Sequence, residues 1–163
     1  MAPIITALQS SDDFECVVTV TGQHREMLDQ VNELFGIVPD HDLNILQRGQ
    51  SLSAIMTRTI DGLEPLFLEN KPDVVIVQGD TTTSTAGAIA AFYHGIPVVH
   101  VEAGLRSGDL FSPFPEEANR KITSQIASLH LAPTTTSKAN LLAEGISGSD
   151  IVVTGNSVID ALL

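Results

Sequence analysis

Five short apolar, β-branched runs, at about 14–20, 73–78, 97–101, 129–132 and 151–153, recur along the chain with mostly no polar alternation inside them. A strand with one face in water alternates apolar and polar side chains, so a run that does not is covered on both faces, as parallel strands are. Between these runs lie segments of helical spacing at about 24–35, 51–69, 82–94, 116–127 and 136–144, bounded by Gly22, Gly36, Pro72, Gly95 and Gly145. The alternation predicts an α/β fold built on a doubly wound parallel sheet. At 163 residues, 43% of them hydrophobic, the chain has the size and apolar content of one domain with an ordinary core.

The ends depart from that pattern. A sheet of this kind starts with a strand and its glycine-rich loop, whereas Met1-Ala2-Pro3-Ile4-Ile5 reads as helix, so the first strand is expected to be missing. At the other end Ser157 is expected to cap a helix (Val158, Ile159, Ala161, Leu162, Leu163) that stops before its amphipathic pattern is complete. The chain therefore reads as cut at both ends, with no internal repeat, low-complexity tract or interdomain linker.

Charge and cysteine content narrow the function classes. Eight basic against twenty acidic residues give a formal charge of −12, which opposes nucleic-acid binding and a polybasic membrane patch, and places any anionic ligand in a local pocket. No run approaches the roughly 18 apolar residues of a membrane span, and no secretory leader is evident, so a cytoplasmic location is expected. Cys16 is the single cysteine and lies in an apolar stretch, reading as a small buried side chain. No Walker loop, Gly-x-Gly-x-x-Gly fingerprint, Cys-x-x-Cys pair or His-Glu-x-x-His is present, so neither a metal site nor a cofactor is predicted.

The chemistry is expected in two acidic loops. Val74-Val75-Ile76-Val77-Gln78-Gly79-Asp80-Thr81 and Val98-Val99-His100-Val101-Glu102-Ala103-Gly104-Leu105-Arg106 each end an apolar strand on a carboxylate, at the sheet edge where α/β proteins place ligands. Adjacent strands lie about 4.8 Å apart, and the helix start at Phe114-Pro115-Glu116-Glu117 brings a third acid toward them. Carboxyl groups crowded together do not all ionise easily, so one becomes a general acid while another stays a base. Each has a plainer reading. Asp80 sits where a helix N-cap belongs, and Glu116 has Arg120 at helical spacing. Glu102 is harder to explain structurally, because glutamate is a poor cap and Ala103-Gly104 leaves its backbone open to a ligand. Glu117 has Lys121 four residues on and reads as an ordinary surface pair.

Other residues of the same edge carry two readings apiece. Arg106 either holds an anionic ligand group or pairs with Asp109 or Glu116. Asn119 and Arg120 are placed to face the same cleft. Gln23 and His24, in Thr21-Gly22-Gln23-His24, are either contacts for a polar ligand or a simple strand-to-helix turn. His100 reads as a satisfied core histidine and His94 as the cationic end of a helix.

With these residues in view, the chain resembles the non-hydrolysing UDP-N-acetylglucosamine 2-epimerases over almost its whole length. The resemblance rests on Thr21-Gly22-Gln23-His24-Arg25-Glu26-Met27-Leu28, Gln78-Gly79-Asp80-Thr81, His100-Val101-Glu102-Ala103-Gly104-Leu105-Arg106-Ser107, Pro113-Phe114-Pro115-Glu116-Glu117-Ala118-Asn119-Arg120 and Val153-Thr154-Gly155-Asn156-Ser157-Val158-Ile159-Asp160. It implies a two-domain GT-B type fold of which residues 1–163 are the N-terminal Rossmann-like half, lacking the first strand and the whole second domain. It also implies inversion at C2 of UDP-N-acetylglucosamine to give UDP-N-acetylmannosamine, by elimination of UDP and its re-addition, without a redox cofactor.

Position by position, Asp80, Glu102 and Glu116 match the family's catalytic carboxylates. Arg106, Asn119 and Arg120 are the substrate-binding candidates. Gln23 and His24 match the segment that contacts a second, activating UDP-N-acetylglucosamine in bacterial members. A homodimer is expected of the full-length form and little activity of residues 1–163 alone. The alternatives are a hydrolysing epimerase that releases N-acetylmannosamine and UDP, and a catalytically silent sugar-nucleotide-binding or assembly module.

Overall fold

A computed structural model describes residues 1–22 and 25–162. It divides into two compact units, Met1–Ser51 with Ser157–Leu163, and Leu52–Asn156. All strand pairings in both are parallel, as the unalternating apolar runs require.

The first unit contains α1 (Ala2–Gln9), β1 (Thr19–Val20), α2 (Arg25–Phe35), β2 (His41–Asp42) and, from the far end of the chain, α7 (Ser157–Asp160). The opening segment is helical as expected, with Pro3 in the first turn, where its missing N–H would have no partner in any case. The strand expected over 14–20 shortens to Thr19–Val20. Its partner among the described residues, β2, is two residues long, and upstream the N–H of Val18 is taken by the Asp40 carboxylate at 2.7 Å rather than by a strand. Upstream, Phe14 and Val17 are exposed, while Cys16 packs half-buried against the small core of Ala2, Val18 and Ile37. Ser157 is the first residue of α7 rather than its cap.

The second unit contains α3 (Leu52–Glu69), β3 (Val75–Gln78), α4 (Thr82–Tyr93), β4 (Val98–Val101), α5 (Glu116–Ile126), β5 (Leu129–Ala132), α6 (Thr135–Ala143), a 3-10 turn (Gly148–Asp150) and β6 (Ile151–Val153). The sheet order is β3-β4-β5-β6, each neighbour reached through a helix. Val77, His100, His130 and Ile151 form one cross-strand row, and Gln78, Val101, Leu131 and Val152 form the next, at the C-terminal edge. The expected strands and helices of this unit all form, within two residues of their predicted bounds.

α4 is assembled from small residues for a reason. Ala86, Ala88, Ala90 and Ala91 are almost fully buried, and a Cβ at Gly87 would stand 3.5 Å from Val77 Cγ1. The helix thus lies close on β3 while packing between α3 and α5, and the Thr85 and Thr123 hydroxyls bond across the α4–α5 contact at 3.2 Å. α3 buries Ile55, Thr59, Leu63 and Phe67, a strict four-residue repeat along one face. On α6, Leu141 closes a second cluster with Ala103, Ala132 and Ile151. No helix among the described residues is long and apolar enough to cross a membrane.

Candidate active site

The loops that follow β3 and β4 carry Asp80 and Glu102, and both begin with backbone that ordinary residues avoid. Gly79 has φ +74°, a conformation glycine adopts freely, and its N–H donates to the Val101 carbonyl at 3.0 Å. Glu102 has φ +63° with no such freedom, at a cost of about 1–2 kcal/mol. Its carboxylate lies against the first loop, where a Cβ on Gly79 would stand 3.5 Å from Glu102 Oε2. Backbone strain held at a strand end, with an acid on it, is a reason to look for function there.

Asp80 does not cap α4. Thr81 does, its hydroxyl accepting the Ser84 N–H at 3.2 Å, so the plain reading of Asp80 falls. Asp80 instead reaches α5: its Oδ2 accepts from Arg120 Nη2 at 2.6 Å and Nε at 2.9 Å, and its backbone carbonyl accepts from Asn119 Nδ2 at 2.9 Å. Asp80 Oδ1 has no hydrogen bond among the described residues. Arg120 therefore does not pair with Glu116, although helical spacing offered that pair, because α5 packs on α4 and presents the guanidinium to the β3 loop.

Glu116 Oε2 is buried with no hydrogen-bond partner among the described residues. Burying an unpaired carboxylate oxygen is unfavourable, and such a group invites an explanation outside the fold itself. The neighbouring acid behaves in the opposite way. Glu117, read from the sequence as a surface partner of Lys121, is completely buried and accepts from the Ser107 N–H at 3.1 Å, the Gly108 N–H at 3.3 Å and Arg120 Nη1 at 3.2 Å. Burial pushes its pKa up, but the Ser107, Arg120 and Gly108 donors together with the Arg106 charge outweigh it and leave it below the usual range.

Arg106 also departs from expectation. Its partner is neither Asp109 nor Glu116 but Glu144 at the end of α6, with Nε on Oε1 at 2.9 Å and Nη2 on Oε2 at 2.7 Å. Nη2 also reaches Ser124 Oγ at 2.9 Å and Nη1 the Leu105 carbonyl at 2.7 Å, which leaves one of five N–H groups uncommitted. Lys121 joins Glu144 at 2.6 Å, and the two cations pull the Glu144 pKa down to about 2. The network ties the loop after β4 to α5 and α6. Gly104 completes that junction: with φ +88° its carbonyl accepts from Asn140 Nδ2 at 2.9 Å, and a Cβ there would stand 2.3 Å from the Ser137 carbonyl oxygen.

His100 is fully buried, and its Nε2 lies 2.8 Å from the Gly79 carbonyl, so Nε2 carries the proton and Nδ1 has no partner among the described residues. Burial holds its pKa down to about 4 against the pull of that carbonyl. The core reading stands, with one addition: His100 fixes the peptide group that leads into Asp80. His94 ends α4 and packs edge-on against Phe67. Gln23 and His24 lie outside the described residues. Among the described residues no cluster of three or more His, Cys, Asp or Glu is disposed to hold a metal ion.

The structure thus brings Asp80, Asn119 and Arg120 into direct contact, sets Glu102 against the turn before Asp80, and puts Glu116 one residue from the acid that anchors Arg120. It draws Arg106 into a separate ion network. Sequence reasoning missed Glu117, Glu144 and Asn140. The only local signal was the three-residue spacing of Glu117 and Arg120.

A sequence profile described as UDP-N-acetylglucosamine 2-epimerase matches residues 6–163. A UDP-N-acetylglucosamine 2-epimerase of Escherichia coli K12 is 60% identical over 163 residues, all of this chain and 43% of that protein. One of Bacillus subtilis is 54% identical over 162 residues, 99% of this chain and 43% of that protein. The crystal structure of UDP-GlcNAc 2-epimerase from Neisseria meningitidis bound to UDP-GlcNAc superposes with a TM-score of 0.96 at 54% identity, over 99% of this chain and 44% of that one. The Methanocaldococcus jannaschii enzyme in complex with UDP-GlcNAc and UDP gives 0.91 at 40% identity, over 98% and 44%. The chain spans less than half the length of these relatives.

Proposed function

This chain belongs to the UDP-N-acetylglucosamine 2-epimerase family, and from that premise we propose that it is the N-terminal half of a GT-B type enzyme converting UDP-N-acetylglucosamine to UDP-N-acetylmannosamine. The observation that carries the proposal is the buried Oε2 of Glu116, unpartnered among the described residues, at the start of the helix whose Arg120 saturates Asp80 Oδ2. One acid has an oxygen with no role in the fold, and the other is oriented with an oxygen to spare.

In the reaction, a carboxylate removes the C2 proton while the C1–oxygen bond breaks, its electron pair leaving with UDP and a C1–C2 double bond forming. UDP then re-adds at C1 as a proton is delivered to the opposite face of C2. Asp80, Glu102 and Glu116 are the groups we assign collectively to these proton transfers, including the proton on the departing phosphate oxygen. Asn119 and Arg120 enter as the residues that hold Asp80. Arg106 enters as a brace of the loop after β4, since four of its five N–H groups are already engaged.

The reading extends to a cytoplasmic homodimer without a cofactor, with the uridine pocket and the rest of the catalytic apparatus supplied by a second domain. It includes an activator contact at Gln23 and His24. Support for these parts is the family resemblance alone.

Incubating the whole protein with UDP-N-acetylglucosamine in deuterium oxide tests the proposal. A UDP-linked epimer bearing deuterium at C2 is expected. An unlabelled epimer refutes the elimination route, and free N-acetylmannosamine with UDP moves the assignment to the hydrolysing class. Robust turnover by residues 1–163 alone would remove the need for a second domain.

A further inference from the structure

Glu117 belongs to none of the proton-transfer steps above, yet it joins the groups that perform them. Among the described residues it is an acid with no exposed surface at all. A carboxylate is retained in such a place only when donors meet its oxygens, and here three do, from two separate segments. Two are the N–H groups of Ser107 and Gly108, in the loop that leaves β4 through Glu102. The third is Arg120 Nη1.

The guanidinium is planar and rigid, so what holds one edge orients the other. Glu117 takes Nη1 at 3.2 Å, while Nε and Nη2 both close on Asp80 Oδ2 at 2.9 and 2.6 Å. Arg120 is thus held at both edges and in turn holds Asp80 by one oxygen. Oδ1 is left without a hydrogen bond among the described residues. We propose that Glu117 is a positioning residue of the acidic site: through Arg120 it sets the direction of Asp80's uncommitted oxygen, and through the 107 and 108 N–H groups it closes the loop that starts at Glu102. The inference rests on the epimerase reading and assigns Glu117 a role within it.

A residue that served only the fold would lower stability and leave turnover per folded molecule unchanged. Misplacement of a reacting group by about 1 Å costs about 10²-fold in rate, without a matching loss of substrate binding. In the whole protein, Glu117→Gln keeps the size of the side chain but turns an NH2 toward donors, and Glu117→Asp keeps the charge but withdraws it by one methylene. For each we expect kcat to fall about 10–100-fold with KM within about 3-fold, on protein whose circular dichroism and melting show it folded. Should Glu117→Gln fail to fold, Glu117→Asp carries the test. A kcat per folded molecule within 2-fold of wild type in Glu117→Asp overturns the proposal.

A double-mutant comparison checks the route. Arg120→Lys cannot bridge both acids, so adding Glu117→Gln to it should cost little further. Losses that multiply leave only the contacts to the 107 and 108 N–H groups and overturn the positioning of Asp80 through Arg120. Asp80→Asn is measured in parallel: full activity there defeats the catalytic reading and this inference with it. Loss in Asp80→Asn with none in Glu117→Asp defeats this inference alone.

Discussion

Replacing Glu144 by glutamine tests the ion network that braces the site. Glu144 bonds Arg106 through both oxygens and Lys121 through one, and the side chains of Arg106 and Glu144 are only 7% and 21% exposed. Glutamine keeps the shape but removes the charge between two cations and points an NH2 group at a donor. The carboxylate's pKa falls from 4.5 to about 2, first through the Arg106 bonds, opposed by burial and reinforced by Lys121. At about 1.4 kcal/mol per pH unit the ceiling on the carboxylate's contribution is ~3 kcal/mol, and partial exposure brings the expectation to ~2. The pH dependence has a definite sign. A carboxyl group whose pKa is depressed on folding contributes fully above its unfolded value, near 4.5, and loses that contribution as the pH falls toward about 2. Urea denaturation of wild type and Glu144→Gln should therefore differ by ~2 kcal/mol at pH 7 and by less than half of that near pH 3. A difference below about 0.5 kcal/mol at pH 7, or one that does not shrink on acidification, would refute the reasoning.

Three further perturbations follow from the same geometry. His100, neutral in the fold with a pKa of about 4 and influenced by His130, Arg106 and Asp80, should cost stability as the pH falls from 6.5 toward 4, because the unfolded chain takes up its proton first; His100→Gln, which can still donate to the Gly79 carbonyl, should flatten that slope in a urea titration, and an unchanged slope counts against it. Gly104→Ala should destabilise by more than ~2 kcal/mol, since its Cβ would meet the Ser137 carbonyl oxygen at 2.3 Å, whereas Gly79→Ala, with only a side-chain oxygen at 3.5 Å, should cost little beyond its backbone strain; equal urea midpoints for the two would contradict this. Glu102→Gly should unfold at a higher urea concentration than Glu102→Gln, by about 1 kcal/mol, because glycine relieves the φ of +63° that glutamine must keep; the reverse order would mean that the strain is absent.

What was readable in the sequence is what short-range pattern decides. The runs at 73–78, 97–101, 129–132 and 151–153 became strands because each is flanked by partners long enough to form a ladder, and topology alone then put Asp80 and Glu102 at one sheet edge. The run at 14–20 has the same composition and yet gave two paired residues, because a strand exists only through its neighbour and β2 is short, charged and without an apolar signature. The site divides in the same way. Which acids stand at the loops could be read, but which cation each would meet could not, because those pairs join residues far apart: 40 positions separate Asp80 from Arg120, and 38 separate Arg106 from Glu144. Helical spacing proposed Glu116 with Arg120 and Glu117 with Lys121, pairs worth only about 0.2–0.5 kcal/mol on an isolated helix. In the fold Arg120 is drawn to Asp80 in the loop after β3 as well as to Glu117 on its own helix, and Lys121 to Glu144 at the end of α6. Glu116 is consequently left with a buried oxygen and no cation among the described residues. The acid that local rules would have neutralised is the one the tertiary structure leaves unsatisfied, and that reversal, invisible along the chain, is what separates a candidate proton carrier from a helix-end charge.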